Sequence, residues 1–435
     1  MQRIACLGAW LLCVGWAASA AADEPPWQHL FNGRDLTGWV NVNTAPSTWT
    51  VRDALIVCSG VPTGVLRTEK QYQNFVLELE WKHLKPGGNA GLFIHSDDIT
   101  APGVPFTRSI ECQILDGNHG DVFAIHGATF EPDRPHPQGW LRCLPSESRA
   151  KPAGEWNHYR VESRDGRLTL AVNGKVVSGG TRCNPRQGYI CLESEGGEVH
   201  FRNLRLQELP STPVPPAEVA ESARGFRSLY NGIDLTGWAA APEAERSFQP
   251  HDWILRYDSS AGMRNLWTQR SFGDFELIAD WRLAGEPQPR DATRIGAHGA
   301  AEVDSAGRPR TVRYEDRGSS GLLLRGSAKA QVNIWNHPVG SGEVFGYRTD
   351  PALPEALHRA VTPRQRADKP AGEWNRFVIT LVGNELTVTL NGDRVIDRAR
   401  LPDLPDRGPI ALQNGTGVVE FANLYVRELD GEQAK

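Results

Sequence analysis

Ser109-Ile110-Glu111-Cys112-Gln113-Ile114-Leu115-Asp116 alternates apolar and polar residues. Ile110, Cys112 and Ile114 fall on one face of an extended chain; Ser109, Glu111 and Gln113 fall on the other. A period of two, carried by β-branched residues, predicts a strand with one dry face. The wet face holds a carboxylate beside an amide. Such a face is either ordinary exposed sheet or the floor of a groove, and its neighbours decide which.

Two further strands keep the same phase. In Ala90-Gly91-Leu92-Phe93-Ile94-His95-Ser96, the dry run Ala90, Leu92, Ile94 turns Phe93 and His95 outward. In Tyr189-Ile190-Cys191-Leu192-Glu193, dry Ile190 and Leu192 turn Tyr189, Cys191 and Glu193 outward. If these strands are neighbours, His95, Glu111, Gln113 and Glu193 share one surface. Two carboxylates and a histidine on a rigid sheet suit general acid–base chemistry, because an apolar wall lifts one carboxyl pKa toward neutrality. The loop Asp116-Gly117-Asn118-His119-Gly120-Asp121 adds Asp116 and His119, which can bond a sugar or a cation; its spacing matches no known calcium loop. An insertion from Phe130 to Trp140 is expected to shape one rim. Arg142 and Lys151, near that rim, could polarise a carbonyl or enolate oxygen.

Working outward, the chain repeats itself. Phe31-Asn-Gly-Arg-Asp-Leu-Thr-Gly-Trp39 returns as Tyr230-Asn-Gly-Ile-Asp-Leu-Thr-Gly-Trp238, and Lys151-Pro-Ala-Gly-Glu-Trp-Asn157 returns unchanged as Lys369-Pro-Ala-Gly-Glu-Trp-Asn375. Leu168-Thr-Leu-Ala-Val-Asn-Gly174 matches Leu386-Thr-Val-Thr-Leu-Asn-Gly392. So long a period means two whole domains rather than a solenoid. We assign 1–22 to a signal peptide, 23–209 to the first domain, 210–224 to a Pro-rich linker and 225–435 to the second. Short alternating strands fill each unit, and Asn173-Gly174 and Asn391-Gly392 are tight-turn signals. Helix signals are confined to Ala217–Ala223 and Pro354–Ala360. The expected fold is all-β: two jelly-roll sandwiches in tandem, each with a concave face.

Composition agrees. The 435 residues carry a net charge of −5, which points away from nucleic acid and anionic membranes. Forty-four glycines, 30 prolines and 14 tryptophans suit turn-rich sheets. Arg3, the apolar run Ile4–Trp16 and the small residues Ala18–Ala22 read as an export signal, too short for a membrane span. Five cysteines follow it, all in the first half; an odd, scattered set is not a disulfide framework, though Cys183 and Cys191 are the nearest candidates for a pair. No paired Cys-x-x-Cys spacing suggests zinc.

The second copy offers an internal comparison. His95 corresponds to Arg325, Glu111 to Gln331, Gln113 to Asn333 and Glu193 to Gln413. Both acids have become amides, which bond but do not exchange protons at neutral pH. Asn333, Trp335, Asn336, His337, Glu343, Arg348, Gln413 and Arg325 form a set suited to gripping hydroxyls and stacking a ring. The expectation is that copy one does chemistry while copy two binds or runs a variant reaction.

Together these motifs resemble the 3-keto-disaccharide hydrolase domain family. The resemblance rests on Phe31-Asn-Gly-x-Asp-Leu-Thr-Gly-Trp39, Asn89-Ala-Gly-Leu-Phe93, Glu111-x-Gln-Ile-Leu-Asp116, Pro152-x-Gly-Glu-Trp-Asn157 and Phe201-Arg-Asn-Leu204, and both halves carry it. It implies a concanavalin-like jelly roll acting on glycosides already oxidised at C3. The ketone acidifies the C2 proton; a base removes it, the C1 oxygen leaves, and water adds to the enone. On that basis Glu111 or His95 is the base, Glu193 or His119 protonates the leaving oxygen, and Arg142 or Lys151 steadies the enolate. The sequence demands no cofactor and leaves room for a divalent cation. The expected partner is an oxidised sugar, with no nucleic acid and no membrane span. The competing expectation is a tandem carbohydrate-binding protein without catalysis, and a weaker one is an adhesion module.

Overall fold

A computed structural model describes residues 25–262, 264–296 and 298–429. The expected export signal lies outside the described residues. The first half is a sandwich of two antiparallel sheets. The larger has the order Thr129–Pro132, Lys175–Asn184, Arg167–Val172, Asn157–Arg164, Phe75–His83, Val199–Glu208, Leu55–Cys58, Trp49–Arg52, with Trp27–His29 also beside Val199–Glu208. The smaller runs Arg142–Cys143, Val122–Ile125, Ser109–Gln113, Gly91–Ser96, Tyr189–Ser194, Gly64–Thr68, Trp39–Asn41. Both sheets mix hairpin neighbours with strands distant in sequence, Phe75–His83 lying between Asn157–Arg164 and Val199–Glu208 and Gly91–Ser96 beside Tyr189–Ser194, as in a jelly roll.

Alternation explains the layering. In Phe75–His83, Phe75, Leu77, Leu79 and Trp81 enter the core, where they meet Leu92, Ile94, Ile110, Cys112 and Leu192 of the smaller sheet. The intervening Glu78 and Glu80 turn outward to Arg160, Arg205 and Arg202. Asn173 and Gly174 both take positive φ, 46° and 87°, as do Asn391 and Gly392, 53° and 91°; this is the backbone a two-residue hairpin with right-handed twist demands. In the repeated opening motif, Asn32 Oδ1 accepts from the backbone N–H groups of Arg34 and Asp35, and Asn231 Oδ1 does the same for Ile233 and Asp234.

The second half has the same core plan around Trp281. Its two layers are hydrogen-bonded into one sheet because Thr416–Glu428 runs through both, pairing with Gly318–Leu324 in one and Phe275–Leu283 in the other. A separate ribbon, Gln288–Thr293 with Thr311–Asp316, stands off it. Helix is scarce. The expected turn at Ala217–Ala223 shortens to a 3-10 turn at Pro216–Glu218, and Glu355–Ala360 forms as read. Pro242–Ser247 and Phe345–Arg348 were not foreseen.

The halves touch. Val65, Phe93, Tyr189 and Cys191, on the outer face of the smaller sheet, share an apolar cluster with Ile278 and Tyr425 of the second half. No Cys183–Cys191 disulfide forms. All five described thiols are free and buried, with Cys183 in the first-half core and Cys191 in the inter-domain cluster. Among the described residues, no helix is long and apolar enough to cross a membrane.

Candidate active site

Gly91 is the hub of the site. It lies opposite Gln113, and a Cβ placed on it would meet Glu193 Oε2 at 2.7 Å, Glu111 Oε1 at 2.9 Å and the Phe93 ring at 2.9 Å. The two carboxylate oxygens are therefore less than about 6 Å apart, on the outer face of the smaller sheet. Only glycine leaves room for both acids at once.

Cross-strand register fixes the walls. Glu111 lies between Phe93 on one neighbouring strand and Phe123 on the other. Phe106, from the loop between Ser96 and Ser109, meets Phe93 edge-on at 5.8 Å, and His126 stacks on Phe106. Arg142 comes from a short outer strand, with its guanidinium 4.3 Å above the Phe123 ring, and is held by the buried carboxylate of Asp121. On the open side, Glu195 bonds the Asn89 side chain.

The electrostatics follow from this burial. Loss of water pushes the Glu111 carboxyl up to about 8; the charge of Glu195 adds to the rise and Arg142 opposes it. Glu193 is raised well above the ordinary range, first by burial and then by the charge of Glu111. Two such carboxyls cannot both ionise, so the pair holds a proton that exposed acids give up. That has a price in stability. The unfolded Glu111 side chain titrates near 4.5, so between there and about 8 the folded chain binds the extra proton, and stability falls as pH rises. Glu111→Gln is neutral throughout. Its melting temperature relative to wild type should climb from pH 4.5 to 8 and then level off; a constant gap across that range in thermal denaturation would refute the assignment.

Several expected residues sit elsewhere. His95 does not face the Glu111–Glu193 pair. It takes φ 56° at an irregularity in the pairing of its strand with Tyr189–Ser194, which reverses the alternation and sends the ring inward. There it meets Phe75, with Nε2 3.1 Å from the Gln73 carbonyl and 3.3 Å from Ser163 Oγ, and burial drives its pKa down to about 4. Arg325 repeats the event: φ 48°, fully buried, bonded to the carbonyls of Gly273, Gly383 and Pro405 and to Asp274. It is a structural cation, not a groove residue. His119 stacks on core Trp81 at 4.8 Å, and its pKa also falls to about 4 through burial. Lys151 is exposed and donates to the Trp156 carbonyl, while Asp116 accepts from Gly87 N–H and ties its loop to the one that holds Gly87. Gln113 keeps the face that carries Glu111, half-buried, with Oε1 accepting from Ile114 N–H.

Residues 26–207 and 225–427 each match the model of the 3-keto-alpha-glucoside-1,2-lyase-like domain. The chain belongs to that family. Within the lyase-like family, it is 25% identical over 232 residues to the 3-keto-disaccharide hydrolase of Bacteroides thetaiotaomicron, covering 41% of this chain and 77% of that one. It is also similar to a solved protein of Parabacteroides distasonis, provisionally named a glycosyl hydrolase (23% identity, 42% of this chain, 94% of that one, TM-score 0.34). A carbohydrate-binding module from Bacillus subtilis matches at 13% identity over 39% of this chain and 96% of its own, with TM-score 0.30.

In this member of the family, sequence reasoning missed two acids. Glu195 stands two residues beyond Glu193 and so shares its face; continuing the alternation by one step finds it. Asp121 is signalled by a recurrence: Gly120-Asp121-Val122-Phe123 returns as Gly342-Glu343-Val344-Phe345. Both segments carry the same β-bulge. Gln113 N–H donates to the Asp121 carbonyl while Gly120 N–H donates to that of Gln113; Asn333 N–H donates to the Glu343 carbonyl while Gly342 N–H donates to that of Asn333. Asn336, expected to grip ligand, instead bonds the Glu315 carbonyl and accepts from Arg317 N–H, tying down the ribbon. Among the described residues, no group of three or more His, Cys, Asp or Glu is arranged to hold a metal ion.

Proposed function

We propose that the first domain cleaves 3-keto-glycosides by proton transfer at C2, with Glu111 and Glu193 as the working pair. The observation that carries the reading is the proximity of two buried acids with raised pKa values around one glycine. The Arg142 guanidinium, over the Phe123 ring that faces Glu111 across the strands, opposes the rise of the Glu111 carboxyl, so we assign Glu111 as the base. Glu193 keeps its proton and is the acid.

The steps balance. Glu111 carboxylate takes the C2 proton, and the electron pair moves onto the C3 oxygen as an enolate, which the guanidinium of Arg142 stabilises. The enolate collapses, the C1–O bond breaks, and the departing oxygen takes the proton of Glu193. A C1–C2 enone remains. Water adds at C1, giving its proton to Glu193, and Glu111 returns its proton to C2. Both acids end as they began, and the net reaction is hydrolysis. His95, His119 and Lys151 have no part in this scheme, and it requires no cofactor. Export to the periplasm or the medium belongs to the same proposal and rests on the Arg3–Ala22 pattern alone.

The test compares aryl 3-keto-glucoside with its unoxidised parent. Aglycone should be released from the ketone only. Equal release from both would mean direct glycoside hydrolysis, and release from neither would leave the carbohydrate-binding alternative.

A further inference from the structure

We propose that the second domain is a separate binding site for the same class of oxidised sugar, one that holds it without turning it over. This rests on the reading of the first domain, but its own evidence lies in the second.

Position by position, the second face copies the first with the proton chemistry removed. Gly321 lies opposite Asn333 as Gly91 lies opposite Gln113, and a Cβ on it would meet the Gln331 side chain at 2.9 Å. Where the acids stood, Gln413 Nε2 donates to Gln331 Oε1 at 3.0 Å, and Gln331 Nε2 donates to Asn333 Oδ1 at 2.9 Å. This ladder leaves the Asn333 amide donor and the Gln413 amide carbonyl without partners among the described residues. A pair of sugar hydroxyls, each both donor and acceptor, would satisfy them. None of the three amides can take up or release a proton at neutral pH.

What was kept is as informative. Val332 pairs with Val344, so Phe345 lies across from Gln331 as Phe123 lies across from Glu111. Glu343 is completely buried beside Arg348, Oε1 to Nε 2.7 Å, and the guanidinium sits 5.8 Å from the Phe345 ring. Asp121, Arg142 and Phe123 make the same acid–arginine–aromatic group. Yet Arg142 arrives on a separate strand, whereas Arg348 ends the one-turn helix begun by Phe345. Two backbone routes bring a guanidinium beside an aromatic ring and a buried acid, and Arg348 Nη1 also donates to the Gly299 carbonyl at 3.2 Å. A ligand oxygen shared by both copies accounts for the recurrence, and in an oxidised sugar the ketone is the acceptor a guanidinium suits. Trp335, two residues beyond Asn333 and therefore on its face, adds a ring platform. Its Nε1 is anchored to the Gly340 carbonyl, and His337 stacks on it at 4.5 Å.

Titration calorimetry on the full chain tests this with methyl 3-keto-glucoside as the probe. In Glu111→Gln protein, where turnover of the probe is slowed by roughly 10²–10⁴-fold, two molecules should bind per chain. Adding Glu343→Gln and Arg348→Met together, which leaves no unpaired buried charge, should lower that by one. Gln331→Met, at the half-buried middle of the ladder, should do the same and guards against misfolding of the first variant. A stoichiometry unchanged by both overturns the proposal, as does equal binding of unoxidised methyl glucoside at the second site. Aglycone release by the wild-type chain reports separately on the first domain, so failure of one reading is not mistaken for failure of the other.

Discussion

Glu111→Gln should lower kcat on a 3-keto-glucoside by roughly 10²–10⁴-fold, the usual worth of a positioned general base, while leaving KM within a few-fold. The split is the diagnostic part. Glutamine keeps the size of the side chain and its place between Phe93 and Phe123, so the groove should still accept sugar. What disappears is a group able to carry the C2 proton. The wild-type pH profile should bear the same mark. A base held at about 8 is mostly protonated at neutral pH, so kcat/KM should rise with pH up to about 8 and fall where Glu193 loses its proton. Arg142→Lys, which retains the charge but not the planar fork held by Asp121, should shift the rising limb to higher pH by weakening the one interaction that favours ionised Glu111. Unaltered kcat in Glu111→Gln would remove that residue from the mechanism.

Much of this was legible because the alternation of a one-sided sheet has only one phase. Ile110, Cys112 and Ile114 could not enter the core without placing Glu111 on the other face, and the same constraint set Glu193. His95 broke the rule for a reason the sequence hides. Its strand carries a pairing irregularity, and a single residue at positive φ exchanges the two faces from that point on. Nothing in Phe93-Ile94-His95-Ser96 marks it, since histidine has no special need for that conformation. The matching φ of Arg325 shows that the irregularity belongs to the fold rather than to the side chain. His119 failed for a different reason: a loop histidine beside two glycines reads as exposed, but this loop turns its ring back onto Trp81. Burial by a neighbouring domain was beyond reach as well. Composition and motif repeats reveal two copies, not which faces they press together.

That contact sets the second large effect. Asp280 belongs to the second domain but fastens a loop of the first. Its fully buried carboxylate receives Arg376 Nε and Nη2 at 2.6 and 2.9 Å, Gly103 N–H at 2.8 Å and Asn423 Nδ2 at 2.7 Å. Arg376 also donates to the Thr100 carbonyl, and Asn423 to those of Ala101 and Val104. The loop so pinned carries Phe106 onto Phe93, one wall beside Glu111. Asp280→Ala should therefore cost about 3–5 kcal/mol in denaturant unfolding, because it strands the Arg376 charge in a buried setting. Replacing Asp280 and Arg376 together by Leu and Met should cost less than the single change, since no charge is then left unpaired. Both variants should still lose the loop anchor, and amide exchange across residues 99–106 should quicken in each. The kinetic consequence follows from the wall: with Phe106 free to swing, water reaches Glu111, its pKa drops toward the ordinary carboxylate range, and the rising limb of kcat/KM moves to lower pH. A second-domain substitution that shifts the pH profile of a first-domain base would mean that the two copies work as one catalytic body; a profile that stays put while the loop loosens would show that Phe93 and Phe123 suffice to keep Glu111 dry.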